Sequence, residues 1–209
     1  MQAASVSNDH AFLNRHPLRA MFEARKRVFV DLLEWDIPVL DGRFEIDQFD
    51  TPDATYVFIA DPAGGHMASA RILRTDRSHI LKDLFAFLSD GPVPTGYACR
   101  EITRFCIEPG LTRADRRIAR NGLVSALADH ALANAISTYT AVASPAWYSQ
   151  IAKFGWKCSN LGDPSRWNGE DLVAMRIEID ARTISDLQEG GIYTPTSYQT
   201  MVLGSERVQ

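Results

Sequence analysis

Absences bound this chain before any motif is read. Cysteine is scarce: Cys99, Cys106 and Cys158 are the three in 209 residues. None stands in a CxxC or finger spacing, so reduced thiols in a cytoplasmic protein are expected rather than a disulfide framework or a zinc module. No apolar run approaches the length of a membrane span. Asn8, Asp9 and His10 stand where a secretory leader would be apolar. Positive charge is not in excess, since the net charge is −4, and that argues against a general nucleic-acid binder. No GxGxxG follows a strand pattern and no phosphate-loop lysine motif is present, so a dinucleotide or NTP fold has no support. No GxSxG elbow supports a serine hydrolase. His10, His16, His66, His79 and His130 are scattered without ligand spacing; each reads as structural or surface, and no metal is expected. What remains, at 45% hydrophobic content, is one globular domain over residues 1–209 with a real core, whose tail from about 190 shows no clear period.

Taken in order, the spacing predicts a helix from about Pro17 to Leu33, then a long irregular segment from Asp36 to Pro52. Ala54–Ala60 and Met67–Leu73 read as a hairpin across Asp61-Pro62-Ala63-Gly64-Gly65. A short helix, His79–Leu88, precedes a strand at Ala98–Ile107. Thr112-Arg113-Ala114-Asp115 resembles a capping box opening a long helix to about Ile136, with Ala114, Ile118, Leu123, Leu127 and Ala131 as its buried side. Tyr139–Ala143, Trp156–Cys158 and Asp171–Ile179 follow as strands, with helices at Ala146–Lys153 and Thr183–Gln188. This order implies an α/β fold, a three-layer α/β/α sandwich around a mixed sheet.

Candidate chemistry concentrates between Arg25 and Asp50. Leu18, Met21, Phe22, Val28, Phe29, Leu32 and Leu33 make an apolar helical face, and Arg25 falls within it. A buried guanidinium needs a carboxylate or ligand partner. Glu34-Trp35-Asp36, then Glu45, Asp47 and Asp50 follow within one short span. A polar ligand pocket is one reading; a snorkelling arginine beside a solvated acidic loop is the other. Further on, Glu101 and Arg104 both interrupt an apolar strand. Strict alternation puts them on opposite faces unless a bulge turns one of them round.

Taken together, Arg25-x3-Phe29-x5-Trp35, Glu45-x-Asp47-x2-Asp50, Arg71, Phe85 and Glu101-x2-Arg104-Phe105 resemble the LuxI-type acyl-homoserine-lactone synthases, over roughly residues 10 to 185. The segments LEWD, ExDxFD and ExTRF stand in that family's order. The family's first strand is hard to find before Leu13. The resemblance implies a fold related to the GNAT acyltransferases. It also implies a reaction: S-adenosylmethionine and an acyl thioester, on acyl carrier protein or coenzyme A, give an N-acyl-homoserine lactone signal and 5′-methylthioadenosine. S-adenosylmethionine is then a consumed substrate, and no cofactor is expected.

That substrate carries a sulfonium, an ammonium and a carboxylate, so its pocket needs both signs of charge. Arg25, Arg71 and Arg104 set against Asp47, Asp50 and Glu101 supply them. Phe29, Trp35 and Phe105 are candidates to cover the adenine or the sulfonium. Glu101 is the candidate base for the amine, directly or through a water. Backbone N–H groups near Thr103 and Arg104 are candidates for the oxyanion. By resemblance, the acyl chain lies where the strands Ala98–Ile107 and Tyr139–Ala143 splay, lined by Thr103, Ala141 and Ala143. Arg113, Arg116, Arg117, Arg120 and Lys153 are expected to dock an acidic carrier, although a solvated helix face has the same look. The competing readings are a GNAT-type acyltransferase acting on another amine and a catalytically silent regulator.

Overall fold

The computed structural model describes residues 16–194 and 199–203, with His16 and the last five by backbone alone; His10 and the strand sought before Leu13 lie outside the described residues. Helix α1 (His16–Arg25) buries Leu18, Met21 and Phe22 on one face. The single helix expected as far as Leu33 does not hold its register. Over Lys26–Leu32 it widens into a π-helical turn, in which the Leu33 N–H reaches the Val28 carbonyl at 3.0 Å. An i→i+5 turn shifts every later side chain out of the 3.6-residue register. Phe29 therefore stays buried while Leu32 and Leu33 emerge at the surface.

The segment after it, expected to be irregular, contains a small ladder. Strands β1 (Val39–Leu40) and β2 (Phe44–Glu45) pair antiparallel across a turn with positive φ at Asp41 and Gly42, 53° and 65°. The predicted hairpin follows as β3 (Thr55–Ala60) and β4 (His66–Arg74). Helix α2 (Ile80–Leu84) and a 3₁₀ turn at Ala86–Leu88 replace one short helix. Then come β5 (Cys99–Ile107), α3 (Arg113–Ala133), β6 (Thr138–Ala143), α4 (Pro145–Ile151), β7 (Lys157–Asn160), β8 (Ser165–Trp167), β9 (Glu170–Glu178), α5 (Thr183–Glu189) and β10 (Gln199–Leu203). Strand β10 comes from the tail in which the sequence shows no period. It closes one sheet edge against β3.

The sheet order is β10–β3–β4–β5–β6–β9–β7, with β8 paired to β9. Every contact is antiparallel except β5 with β6. Helices lie on both faces, as the element order implied. One face packs α1 onto Tyr56, Phe58 and Leu73. The other packs α3 onto Val57, Ile72, Ile102, Tyr139 and Ala141. Helix α3 is capped as expected: Thr112 Oγ1 accepts the Asp115 N–H at 3.2 Å. Leu123, Leu127 and Ala131 are buried, but Ala114 and Ile118 are not, because the first turns of α3 stand clear of the core. Among the described residues no helix is long and apolar enough to cross a membrane.

One feature of the sheet positions the site. Strands β5 and β6 pair only from Cys99↔Thr138 to Glu101↔Thr140, although β5 runs on to Ile107 and β6 to Ala143. Beyond Glu101 they part. Since the two strands are parallel, α3 and α4 both begin at the end where the gap opens, the end at which α/β sheets place ligands.

Candidate active site

Arg104 reaches the site because β5 is distorted. The ladder to β4 is regular through Arg71↔Thr103 and resumes at Ser69↔Cys106, so Arg104 and Phe105 together oppose Ala70. That is a β-bulge. Arg104 takes φ 51°, a conformation that costs a non-glycine residue strain and tends to persist at functional sites. Of the two arrangements open to alternation, the bulge is the one found: Arg104 joins Thr103 and Arg71 on the α1 face. Phe105 is sent to the opposite face, where its ring lies 5.5 Å from that of Trp147. It does not accompany Phe29 and Trp35.

On the α1 face three arginines interlock with three carboxylates. Arg25 Nε donates to Glu45 at 2.5 Å, and its two terminal nitrogens clasp Asp50 at 2.8 Å each. Arg71 clasps Asp47 at 2.6 and 3.0 Å, approaches Asp50 at 2.8 Å, and donates from Nε to Thr103 Oγ1 at 2.9 Å. Arg104 bridges Glu45 and Asp47 at 3.1 and 2.7 Å. The Asp47 N–H and the Tyr56 hydroxyl, both 2.9 Å away, also donate to Asp50. The apolar helical face makes this possible, since it carries Arg25 into the interior and the guanidinium then draws the Glu45–Asp50 segment over itself. Arg25 and Arg71 are each 1% exposed, and the Arg104 side chain is 11% exposed. Burial alone would raise the Asp50 carboxyl; Arg25 and Arg71 overcome it and hold the group far below the usual carboxylate range. Asp47 is lowered in the same way, chiefly by Arg71 against burial.

Glu45, from the acidic span already named, and Tyr56 of β3 complete this network. Tyr56 is signalled only by the hairpin register, which sets it opposite Arg71. Over the outer side of the network Phe29 and Trp35 stack at 4.8 Å, with the Arg104 guanidinium 5.5 and 5.8 Å from their rings. Trp35, at 37%, is the exposed member. The wide π-helical turn puts the two rings together, since the Trp35 N–H closes on the Phe29 carbonyl at 2.8 Å.

Glu101 stands apart from the arginines. It is 0% exposed and accepts the Ile80 and Leu81 N–H groups at 2.8 Å each. It thereby ties the first turn of α2 to β5, two residues before Thr103 on the same face. Burial pushes its carboxyl up to about 7, against the opposing pull of those two N–H groups. Thr103 and the alanines do not line one wall. Ala141 and Ala143 lie in the core beneath α3, whereas Thr103 faces Arg71. Phe105 shares the alanines' side and packs against the same core. Thr140 is buried beside Glu101, with its Oγ1 3.5 Å from the Arg100 carbonyl oxygen.

Arg113, Arg116, Arg117 and Lys153 are exposed. Arg120 is not free in the same sense: its guanidinium covers the Phe154 ring at 5.2 Å and donates to Asn121 at 2.8 and 3.1 Å. Phe85 packs between the α1-side core and the cluster of Leu81, Leu88 and Ala174. Among the described residues no three His, Cys, Asp or Glu side chains group to hold a metal.

Comparison with known proteins agrees in extent with this geometry. The family model described as "Autoinducer synthase" matches residues 9–187. An acyl-homoserine-lactone synthase of Ralstonia nicotianae is 31% identical over 175 residues, covering 80% of this chain and 85% of the relative. The crystal structure of TofI in a ternary complex with an inhibitor and MTA aligns at TM-score 0.71 and 27% identity, covering 82% and 89% of the two chains. A structure from Lactobacillus plantarum assigned as an N-acetyltransferase aligns at TM-score 0.52 and 15% identity, covering 78% and 90%. That last likeness is one of fold alone.

Proposed function

The chain belongs to the autoinducer synthase family, and from that premise we propose how its residues carry out acyl-homoserine-lactone synthesis. It is an acyltransferase that joins S-adenosylmethionine to an acyl thioester and releases 5′-methylthioadenosine. The observation that carries the mechanism is the closed set of Arg25, Arg71 and Arg104 with Glu45, Asp47 and Asp50, faced by Phe29 and Trp35 at the open end of the β5–β6 gap.

In this reading the six charges divide by accessibility. Arg25 and Arg71, wholly enclosed, are positioning residues that hold the Glu45–Asp50 segment against the sheet. Arg104, the arginine that meets solvent, and the exposed Trp35 ring beside it touch S-adenosylmethionine; the ring face suits its sulfonium or adenine. The methionyl amine gives its proton to Glu101 through a water, and a carboxyl near 7 suits that task at neutral pH. The freed amine attacks the thioester carbonyl carbon. Backbone N–H groups of the Arg104–Phe105 bulge, left without a regular ladder partner, face the oxyanion. The thiolate leaves as the amide forms. The methionyl carboxylate oxygen then attacks the carbon beside the sulfonium, the carbon–sulfur bond breaks, and the lactone and 5′-methylthioadenosine separate. Holding those atoms in line is an orientation task.

The acyl chain occupies the gap on the α3 side, along Ala141, Ala143 and Phe105. The donor is an acyl thioester of acyl carrier protein or coenzyme A; a carrier protein meets Arg113, Arg116, Arg117 and Lys153, beside Arg120, which Phe154 and Asn121 hold in place. No cofactor is required, and the setting is the cytoplasm, where free thiols such as Cys99, Cys106 and Cys158 persist. Incubating the protein with S-adenosylmethionine and a pool of acyl thioesters tests the reaction. Mass spectrometry should find methylthioadenosine and one acyl lactone in equal amounts. An acyl amide of another amine, with no methylthioadenosine, refutes it.

A further inference from the structure

A second arginine site lies at the other end of the parallel strand pair. Arg176 of β9 stands cross-strand from Thr140 of β6, which itself neighbours Glu101 of β5, so all three side chains share the α1 face of the sheet. Beside it is a pocket of about 220 Å³ lined by Arg176, Thr138, Ser137, Cys99, Thr95 and Pro94 among others. It opens where β5 begins. Cys99 precedes Arg104 by five residues along the strand, roughly 16 Å at 3.3 Å per residue, so the pocket is separate from the arginine–carboxylate network.

The donors and acceptors here do not balance. Arg176 Nε is buried without a hydrogen-bond acceptor, and Arg176 makes no ion pair among the described residues. A guanidinium keeps its proton; Arg176 is half-buried, and Nε is the donor that solvent does not reach. Leaving a buried donor unmade is costly, and more so for a charged group. Arg25, Arg71 and Arg104 answer that demand with carboxylates of the chain; around Arg176 no carboxylate lines the pocket, whose other polar side chains are the hydroxyls of Thr95, Ser137 and Thr138 and the Cys99 thiol. The nearest acidic side chain along the strand, Glu178, is exposed and lies opposite Lys157.

We infer that this pocket binds a small oxyanion, a carboxylate or a phosphate-type ion, through the Arg176 guanidinium with hydroxyl donors from Thr95 and Thr138; the Ser137 hydroxyl donates to the Ala98 carbonyl at 3.4 Å. Arginine forks suit both ions because they offer parallel N–H groups to two oxygens. The volume equals roughly seven waters at about 30 Å³ each, room for a compact acid or an inorganic ion.

The test is a titration of the intact ¹⁵N-labelled protein with sodium phosphate, sulfate, acetate and succinate, each against chloride at constant ionic strength. The arginine Nε–Hε resonances are followed by NMR. The Arg176 resonance, identified by its loss in Arg176→Lys, should move saturably with at least one oxyanion while the Arg25, Arg71 and Arg104 resonances stay still. Arg176→Gln should weaken binding about tenfold or more, the usual worth of a charge-assisted bond. Glu178→Gln, removing the neighbouring negative charge, should tighten it. A preference among the four ions identifies the ligand class. Linear shifts like those in chloride, or binding undiminished in Arg176→Gln, overturn the site. Should Arg176→Gln fail to fold, the wild-type resonance decides, because water filling the pocket gives no saturable response to any oxyanion.

Discussion

Replacing Glu101 by Gln separates a chemical role from a structural one. The wild-type carboxylate accepts two backbone N–H groups at 2.8 Å, from Ile80 and Leu81. The amide keeps one acceptor and turns an NH₂ toward the other N–H. One buried donor is then unmet, at about 1–3 kcal/mol, or a fall in Tm of roughly 3–10 °C for a chain of this size. That loss leaves most molecules folded at room temperature. If Glu101 is also the base, the chemical step should slow by about 10²–10⁴-fold, far more than the population of folded protein changes. The assay is methylthioadenosine release under saturating S-adenosylmethionine across pH 5.5 to 9, beside calorimetric titration of S-adenosylmethionine. Wild-type kcat/KM should rise through an inflection near 7, where burial holds the carboxyl, and the variant should lack that inflection. S-adenosylmethionine affinity should change little. A variant that retains the inflection and loses activity only in step with its Tm refutes the base and leaves Glu101 as the tether of α2.

Other perturbations reach the rest of the site. Arg25→Ala leaves Glu45 to Arg104 and Asp50 to Arg71 and Tyr56, each a buried carboxylate short of one partner, and should cost about 3 kcal/mol, read as a large drop in Tm. Trp35→Ala, at the exposed face, should leave Tm nearly unchanged and weaken S-adenosylmethionine binding by calorimetry. Stability should respond to acid in a definite sense. Asp47 and Asp50 have folded values below the ordinary one, so their contribution is complete above the unfolded value and is lost as pH falls through the folded one. Glu101, raised from 4.5 to about 7, contributes oppositely: its share is full below 4.5 and gone above about 7. As pH falls from about 7 to 4.5, wild type should therefore gain stability relative to Glu101→Gln, by chemical denaturation at fixed pH. Charge reversal at Arg116 and Arg117 should raise the KM for an acyl carrier thioester, as should added salt, while the KM for S-adenosylmethionine stays fixed. Ala141 and Ala143 offer no side-chain donor, so a buried 3-oxo group would go unpaired at about 1–3 kcal/mol; unsubstituted or 3-hydroxy thioesters should outcompete matched 3-oxo ones, and Ala141→Thr should narrow the gap.

Much of this protein is legible along the chain because its signals are local. Alternating β-branched residues mark the β3–β4 hairpin, Thr112 and Asp115 mark the start of α3, and an arginine on an apolar stripe marks Arg25 as a group that must find a carboxylate. Charge complementarity alone nearly completed the network, since Asp47 and Asp50 stand close to Glu45 in one segment. What the sequence could not decide was direction. Leu32 and Leu33 look buried at 3.6 residues per turn and are exposed because the helix widens. Arg104 and Phe105 follow alternation on paper and violate it in the sheet, because β4 supplies Ala70 alone against two residues of β5. By charge Glu101 belongs with the arginines, yet it serves a helix terminus that only the packing of α2 brings near. Tyr56 joins Asp50 through a hairpin register, and β10 closes the sheet from a tail without a period. Each of these depends on which strand or helix lies alongside, and hydrogen bonding between segments distant in sequence, not the preference of any one segment, settles it.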